Sequence, residues 1–143
     1  MKYRIATLLI AAGTAAFAHT GIKNEEVLAR MDGMSAIADA VKVIGTMAKG
    51  ETAFDAEAVD AALSEIEARA GEIPVRFETE IIPEKSEALP VIWDNTEDFG
   101  DKARALETLA AERIGSVQAA DDLRPLMADI AGACKACHSE YRE

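Results

Sequence analysis

The chain has 143 residues, 50% hydrophobic and 29% charged, which is the make-up of one globular domain and excludes a disordered chain. Its 15 Lys and Arg against 26 Asp and Glu leave a net charge of −11, which argues against nucleic acid and anionic membrane surfaces, since both reward positive charge. Aromatics are only 5%, and the dominance of Ala, Glu, Asp, Leu and Ile favours helices over sheet, so an all-α fold is expected.

Residues 1–18 read as a secretory signal peptide: "MKYR" is a basic start, "IATLLIAAGTAA" an apolar run, and "AFA" a small-x-small cleavage site before His19. A retained membrane anchor is the alternative, but polar "HTGIKNEE" follows at once and no other segment approaches a spanning length. The expectation is therefore a mature domain over 19–143, exported to the periplasm, with no stable membrane insertion after cleavage. Losing Lys2 and Arg4 leaves 13 basic against 26 acidic residues, a charge of −13. A basic protein partner suits that charge, which also serves solubility.

Four amphipathic stretches follow. The first is expected from about Asn24 to Lys49, with Val27, Met31, Met34, Ala38, Val41, Gly45 and Ala48 as a seam, Asn24 as N-cap and "KGE" as the stop. The second starts near Asp55 and carries Val59, Leu63, Ile66, Ala70, Ile73 and Phe77; Pro74 predicts a kink or an early end. "IIPEKSEALPVIW" has two prolines and no helical period, and is the one long connection. Asp94 or Thr96 caps the third stretch, with Phe99, Ala103, Leu106, Ala110, Ile114 and Val117 inward. The fourth begins at Asp121 or Asp122 and carries Leu123, Leu126 or Met127, Ile130, Cys134, Cys137 and Tyr141, with Pro125 in its first turn. Short turns on either side of one long crossing predict an antiparallel four-helix bundle.

Both cysteines fall in Cys134-Lys135-Ala136-Cys137-His138, a C-x-x-C-H that reads as a c-type haem attachment site. On a helix, positions i and i+3 project to one side, so two thiols can each add to a haem vinyl group while the next histidine offers Nε2 to the iron. A Cys134–Cys137 disulfide would constrain almost no chain. A zinc site would lack a fourth ligand apart from His19, a thioredoxin-like dithiol goes with a βαβ pattern absent here, and two core cysteines beside a surface histidine are the bland reading. Haem c with iron is favoured, and the export signal agrees with attachment outside the cytoplasm.

This C-x-x-C-H near the end of the last helix, continued as "SEYR", resembles the class II c-type cytochromes: the cytochromes c′ and their low-spin, methionine-ligated relatives. "AKGE" closing the first helix, "FDAEAVDAAL" opening the second, and a long loop leading to "VIW" extend the likeness over the whole mature chain. The resemblance implies a four-helix bundle holding one haem, with His138 as proximal ligand. It also puts the distal residue in the first helix, about four turns before "KGE", and counting back from Lys49 reaches Met34. Met31, one turn away, is the substitute; Met47 and Met127 look structural. Arg142 matches a basic residue flanking the proximal imidazole, and Arg30 resembles an arginine beside a haem propionate. For each, a surface ion pair or solvated arginine is the plain alternative. Gly132 suggests either room for the macrocycle or a helix contact.

The reading is a periplasmic monohaem cytochrome carrying single electrons on His138/Met34-ligated iron, and not an enzyme. The alternative is a five-coordinate protein of the cytochrome c′ type that binds nitric oxide or carbon monoxide. Expected partners are redox proteins with basic docking surfaces. A homodimer through the first two helices is left open by the charged outward faces "KNEE" and "DAEA".

Overall fold

The structure is a computed structural model and describes residues 22–84 and 86–143; the expected signal peptide and His19 lie outside the described residues. Helix α1, Glu25–Ala48, begins where the Asn24 side chain accepts a hydrogen bond from the Val27 amide at 3.1 Å, with Glu25 and Glu26 on the positive end of the helix dipole. It stops at Lys49, and Gly50 takes the left-handed turn with φ 73°. Helix α2, Ala56–Arg76, is capped by Asp55, which accepts from the amides of Glu57 and Ala58. Pro74 sits in its final turn, so one lost backbone bond precedes the end of the helix rather than breaking its middle.

The "VIW" segment differs from expectation. It forms a single turn, α3 (Val91–Asp94), separated from α4 (Thr96–Arg113) by Asn95. Helix α4 ends at Arg113, before the last two residues of the expected stripe: Gly115 turns the chain with φ 73°, leaving Ile114 part-exposed beyond the helix and Val117 buried from the loop. A 3₁₀ turn at Ala120–Asp122 leads into α5, Leu123–Tyr141.

These elements make an all-α four-helix bundle of α1, α2, α4 and α5. Among the described residues the only sheet-like feature is an isolated antiparallel bridge, Ala88 with Arg142. Helix α2 lies between α1 and α4, and α5 closes against α4 and α1. Ile44, Leu63, Ile66, Ile92, Leu123 and Ile130 are fully enclosed in one core. At one end, an aromatic row seals it: Phe77 on Phe99 at 5.0 Å between ring centroids, and Phe99 edge-on to Tyr141 at 5.2 Å. No helix among the described residues is long and apolar enough to cross a membrane.

The expected seam of α1 is only partly the buried line. Val27 and Gly45 of that seam are buried, Met31, Met34, Val41 and Ala48 are half-buried and Ala38 is exposed, while Ile37, Ala40, Ile44 and Met47 form a second, buried line. At about 100° per residue the two lines lie roughly 100° apart, so α1 carries two apolar faces. One packs into the core; the other turns toward α5. The contact that shows this is Gly45, whose missing side chain leaves a Cβ position 3.6 Å from the Met127 methyl group. Ala48 and Lys49 at the end of α1 share a groove there with Arg124 and Met127 at the start of α5, so the two helices run antiparallel.

Candidate haem site

Helix α5 buries Leu123, Leu126, Ile130 and Tyr141, the line expected from the sequence. That line opens at two positions: Cys134 and Cys137, which continue it, are only half-buried, as is His138 beside them. Helical spacing puts the three side chains within an arc of about 100°. Apolar thiols on the inward line of a helix are ordinarily enclosed, so a half-open stretch here is a surface that the polypeptide alone does not cover. Neither cysteine is in a disulfide. Two thiols three residues apart and an adjoining imidazole are the donor set that a covalently held haem needs, so the residues fit the group.

The electrostatics keep these groups neutral. Burial pushes both cysteine thiols up from their ordinary value. The His138 imidazole is held below its ordinary value, first by burial and then by the Arg142 charge, with Glu87 opposing. Neutral imidazole is the form that ligates a metal. The Arg142 charge thus acts on the histidine, and its guanidinium is held by an ion pair to Glu87.

Across the bundle, the antiparallel register relates Met34 to His138. Each lies eleven residues from the Gly45–Met127 crossing, in the direction that leads to the same end of the bundle. Eleven residues advance both helices by about 16.5 Å and return each to within about 20° of its starting face. Met34 is therefore level with His138 and on the side of α1 that turns to α5; Met31 is a turn further out. Met34 also lines a shallow cleft with Arg30, Ile73 and Phe77.

Arg30 is buried, at 7% exposure, and its three nitrogens donate to backbone carbonyls: Nε to Arg76 at 2.7 Å, Nη1 to Ile81 at 2.9 Å and Nη2 to Thr79 at 2.7 Å. Its guanidinium also stacks 4.4 Å from the Phe77 ring centre. The expected propionate-side arginine is thus engaged with the long connection. Gly132 is exposed with nothing within 4 Å of a Cβ position, and it lies about 160° around the helix from Cys134, away from the thiol face. Trp93 anchors the connection, its indole donating to the Phe77 carbonyl at 2.7 Å.

Sequence reasoning missed one cluster beside the site. The Tyr141 hydroxyl donates to Asp98, and Lys102 bridges Asp98 at 2.9 Å and Glu140 at 3.4 Å. Asp98 and Lys102 are spaced i, i+4 on α4, but nothing in the sequence pairs them with α5.

A family model described as Cytochrome C′ matches residues 25–142. Cytochrome c-554 of Cereibacter sphaeroides is 36% identical over 121 residues, covering 77% of this chain and 75% of its own. Cytochrome c′ of Rhodopseudomonas palustris is 30% identical over 146 residues, covering 99% and 97%. The NMR-validated structure of oxidised R. palustris cytochrome c556 superposes with a TM-score of 0.77 at 27% identity, covering 83% of this chain and 96% of that one.

Proposed function

The chain belongs to the cytochrome c′ family, and on that premise we propose that it is a periplasmic electron carrier with its haem attached through Cys134 and Cys137 and its iron held by His138 and Met34. The family's cofactor is haem c, and two cysteines near the C-terminus suit a single covalent attachment. Its members are haem-binding carriers of electrons or gases rather than classical enzymes. When bound, the haem supplies a one-electron ferric/ferrous couple.

The observation that carries the ligand assignment is the register of α1 against α5. Cys134 and Cys137 hold the group on α5, and His138, a single residue on, offers a neutral imidazole. Met34 is level with it on the opposing helix, and a Met/His pair raises the reduction potential. Arg142, kept in place by Glu87, adds positive charge beside the proximal ligand and favours the reduced, less positive iron. Periplasmic location follows from the basic, apolar, small-residue pattern of residues 1–18.

The test is the visible spectrum of the ferric and ferrous holoprotein, with and without carbon monoxide, beside Met34→Ala. We expect a low-spin wild type with a sulfur-to-iron band, indifferent to carbon monoxide, and a high-spin, gas-binding variant. A high-spin wild type that binds carbon monoxide would overturn the assignment and make gas handling the function.

A further inference from the structure

The connection between α2 and α3 is tied down at both ends, and to two different helices. Its first residues are held by Arg30 of α1, whose fork spans the carbonyls of Arg76, Thr79 and Ile81. Its last residues are held by the end of α5: the Leu89 amide donates to the Tyr141 carbonyl at 3.0 Å and the Glu143 amide to the Glu87 carbonyl at 2.9 Å. The Glu87–Arg142 ion pair closes the same bridge. Arg30 stands one turn before Met34, and Tyr141 three residues after His138.

We propose that this connection is a strap that sets the spacing of α1 and α5, with Arg30 as a positioning residue that keeps Met34 within reach of the iron. The inference rests on the His138/Met34 reading. Its physical basis is the inequality of the two sides. On α5 the haem is held by two covalent bonds and an imidazole, whereas on α1 it is met by one thioether, a weak ligand. Ile37 and Ile44 of α1 share one core with Leu123, Leu126 and Ile130 of α5, whereas Met34 and His138 are only half-buried, so at their end of the bundle the strap adds to what the core packing supplies. Arginine suits the task because a buried planar fork can hold three carbonyls at once, which a lysine ammonium cannot do in the same geometry.

The test uses full-length holoprotein with Arg30→Lys, Leu89→Pro, the double variant and Met34→Ala. Leu89 precedes Pro90 and is already biased to extended backbone, so proline there removes the bond to Tyr141 with little else disturbed. The readouts are the ferric low-spin fraction, the apparent carbon monoxide affinity of the ferrous form, and Tm. Each single variant is expected to raise the five-coordinate fraction and the apparent affinity by the same factor, about tenfold, because affinity scales with the competent population. The double variant should match the singles, since a strap slack at one end transmits nothing from the other, whereas unconnected sites would add.

A lower Tm with unchanged low-spin fraction and gas affinity overturns the strap and leaves Arg30 a structural residue. Additive singles overturn it too. If Met34→Ala converts the iron while both strap variants leave it alone, only the strap falls; if Met34→Ala changes nothing, the ligand reading falls and the strap with it. Should Arg30→Lys fail to accumulate, Leu89→Pro alone reads the same fraction, and an unchanged value overturns the proposal.

Discussion

The Tyr141 phenol is pushed up to about 12, first by its hydrogen bond to Asp98 and then by burial, while Asp98 is held below the usual carboxylate range by the same hydroxyl and by Lys102. A raised phenol is favoured neutral in the fold, so its contribution is complete below about pH 10 and is lost as pH rises through about 12. A depressed carboxylate acts at the other edge: its contribution is present above about pH 4 and is lost as pH falls through the lowered value. Asp98→Asn should therefore bring the phenol back toward about 10, read by tyrosinate absorbance. In a chain beginning at His19, Tyr141 is the only tyrosine, which makes the titration unambiguous. A titration unmoved by the substitution would show that burial of the ring, not Asp98, raises the phenol. The pair was illegible in the sequence because its members are 43 residues apart. Cys134, Cys137 and His138 were legible because their chemistry is local spacing on one helix. Met34 was singled out by counting back from "KGE", and the Gly45–Met127 crossing sets it level with His138, while the ligand role itself is a proposal that the spectrum of Met34→Ala tests. Arg30 was picked out but its bonding was not, because its partners are carbonyls 46 to 51 residues away.

At the level of helices, the cap at Asn24, the start of α2 near Asp55 and the stop at Gly50 were legible because each depends on a few neighbouring residues. The inward line of α1 was only partly legible because two apolar lines run along it: Ile37, Ala40, Ile44 and Met47 form the buried one, while Gly45 and Ala48 of the expected seam turn to α5. The end of α4 was misjudged because Ile114 and Val117 continue the stripe in spacing, while Gly115 between them turns the chain. Gly132 belongs to this scale as well. With nothing within 4 Å of a Cβ position and the thiol face on the far side of the helix, no packing reason for glycine remains. Gly132→Ala should stabilise α5 by about 1 kcal/mol, the ordinary helix-interior difference, and leave haem incorporation unchanged. Thermal melting of the holoprotein and its haem-to-protein ratio check both parts. A stabilised chain with reduced haem loading would return Gly132 to the role of making room for the macrocycle.

For the molecule as a whole, the bundle was legible from its order of parts, with two pairs of helices and a proline-bearing crossing between them. What the crossing does was not, since its anchors come from α1 and α5. It also carries the molecule's charge to the site. Glu78, Glu80, Glu84 and Glu87 lie along it, all exposed, at the end of the bundle where Met34 and His138 stand level. Glu87 pairs with Arg142, and with four glutamates against the one lysine, Lys85, between Glu78 and Glu87 the strap is acidic in sequence on a chain of net charge −11. A basic redox protein would be drawn to that face at long range, and salt would weaken the attraction over a Debye length of about 10 Å at 0.1 M. The second-order rate of electron exchange with such a partner should fall about tenfold between roughly 10 mM and 200 mM ionic strength, the low end of electrostatic steering. Glu80→Lys with Glu84→Lys should lower the rate at low salt and flatten that dependence, measured by stopped-flow mixing, while reduction by a small uncharged reductant stays as it was. If the rate is flat or rises with salt, the acidity serves solubility alone. If it falls with salt yet ignores the two substitutions, the partner docks on another acidic face, and the strap sets the iron without receiving the electron.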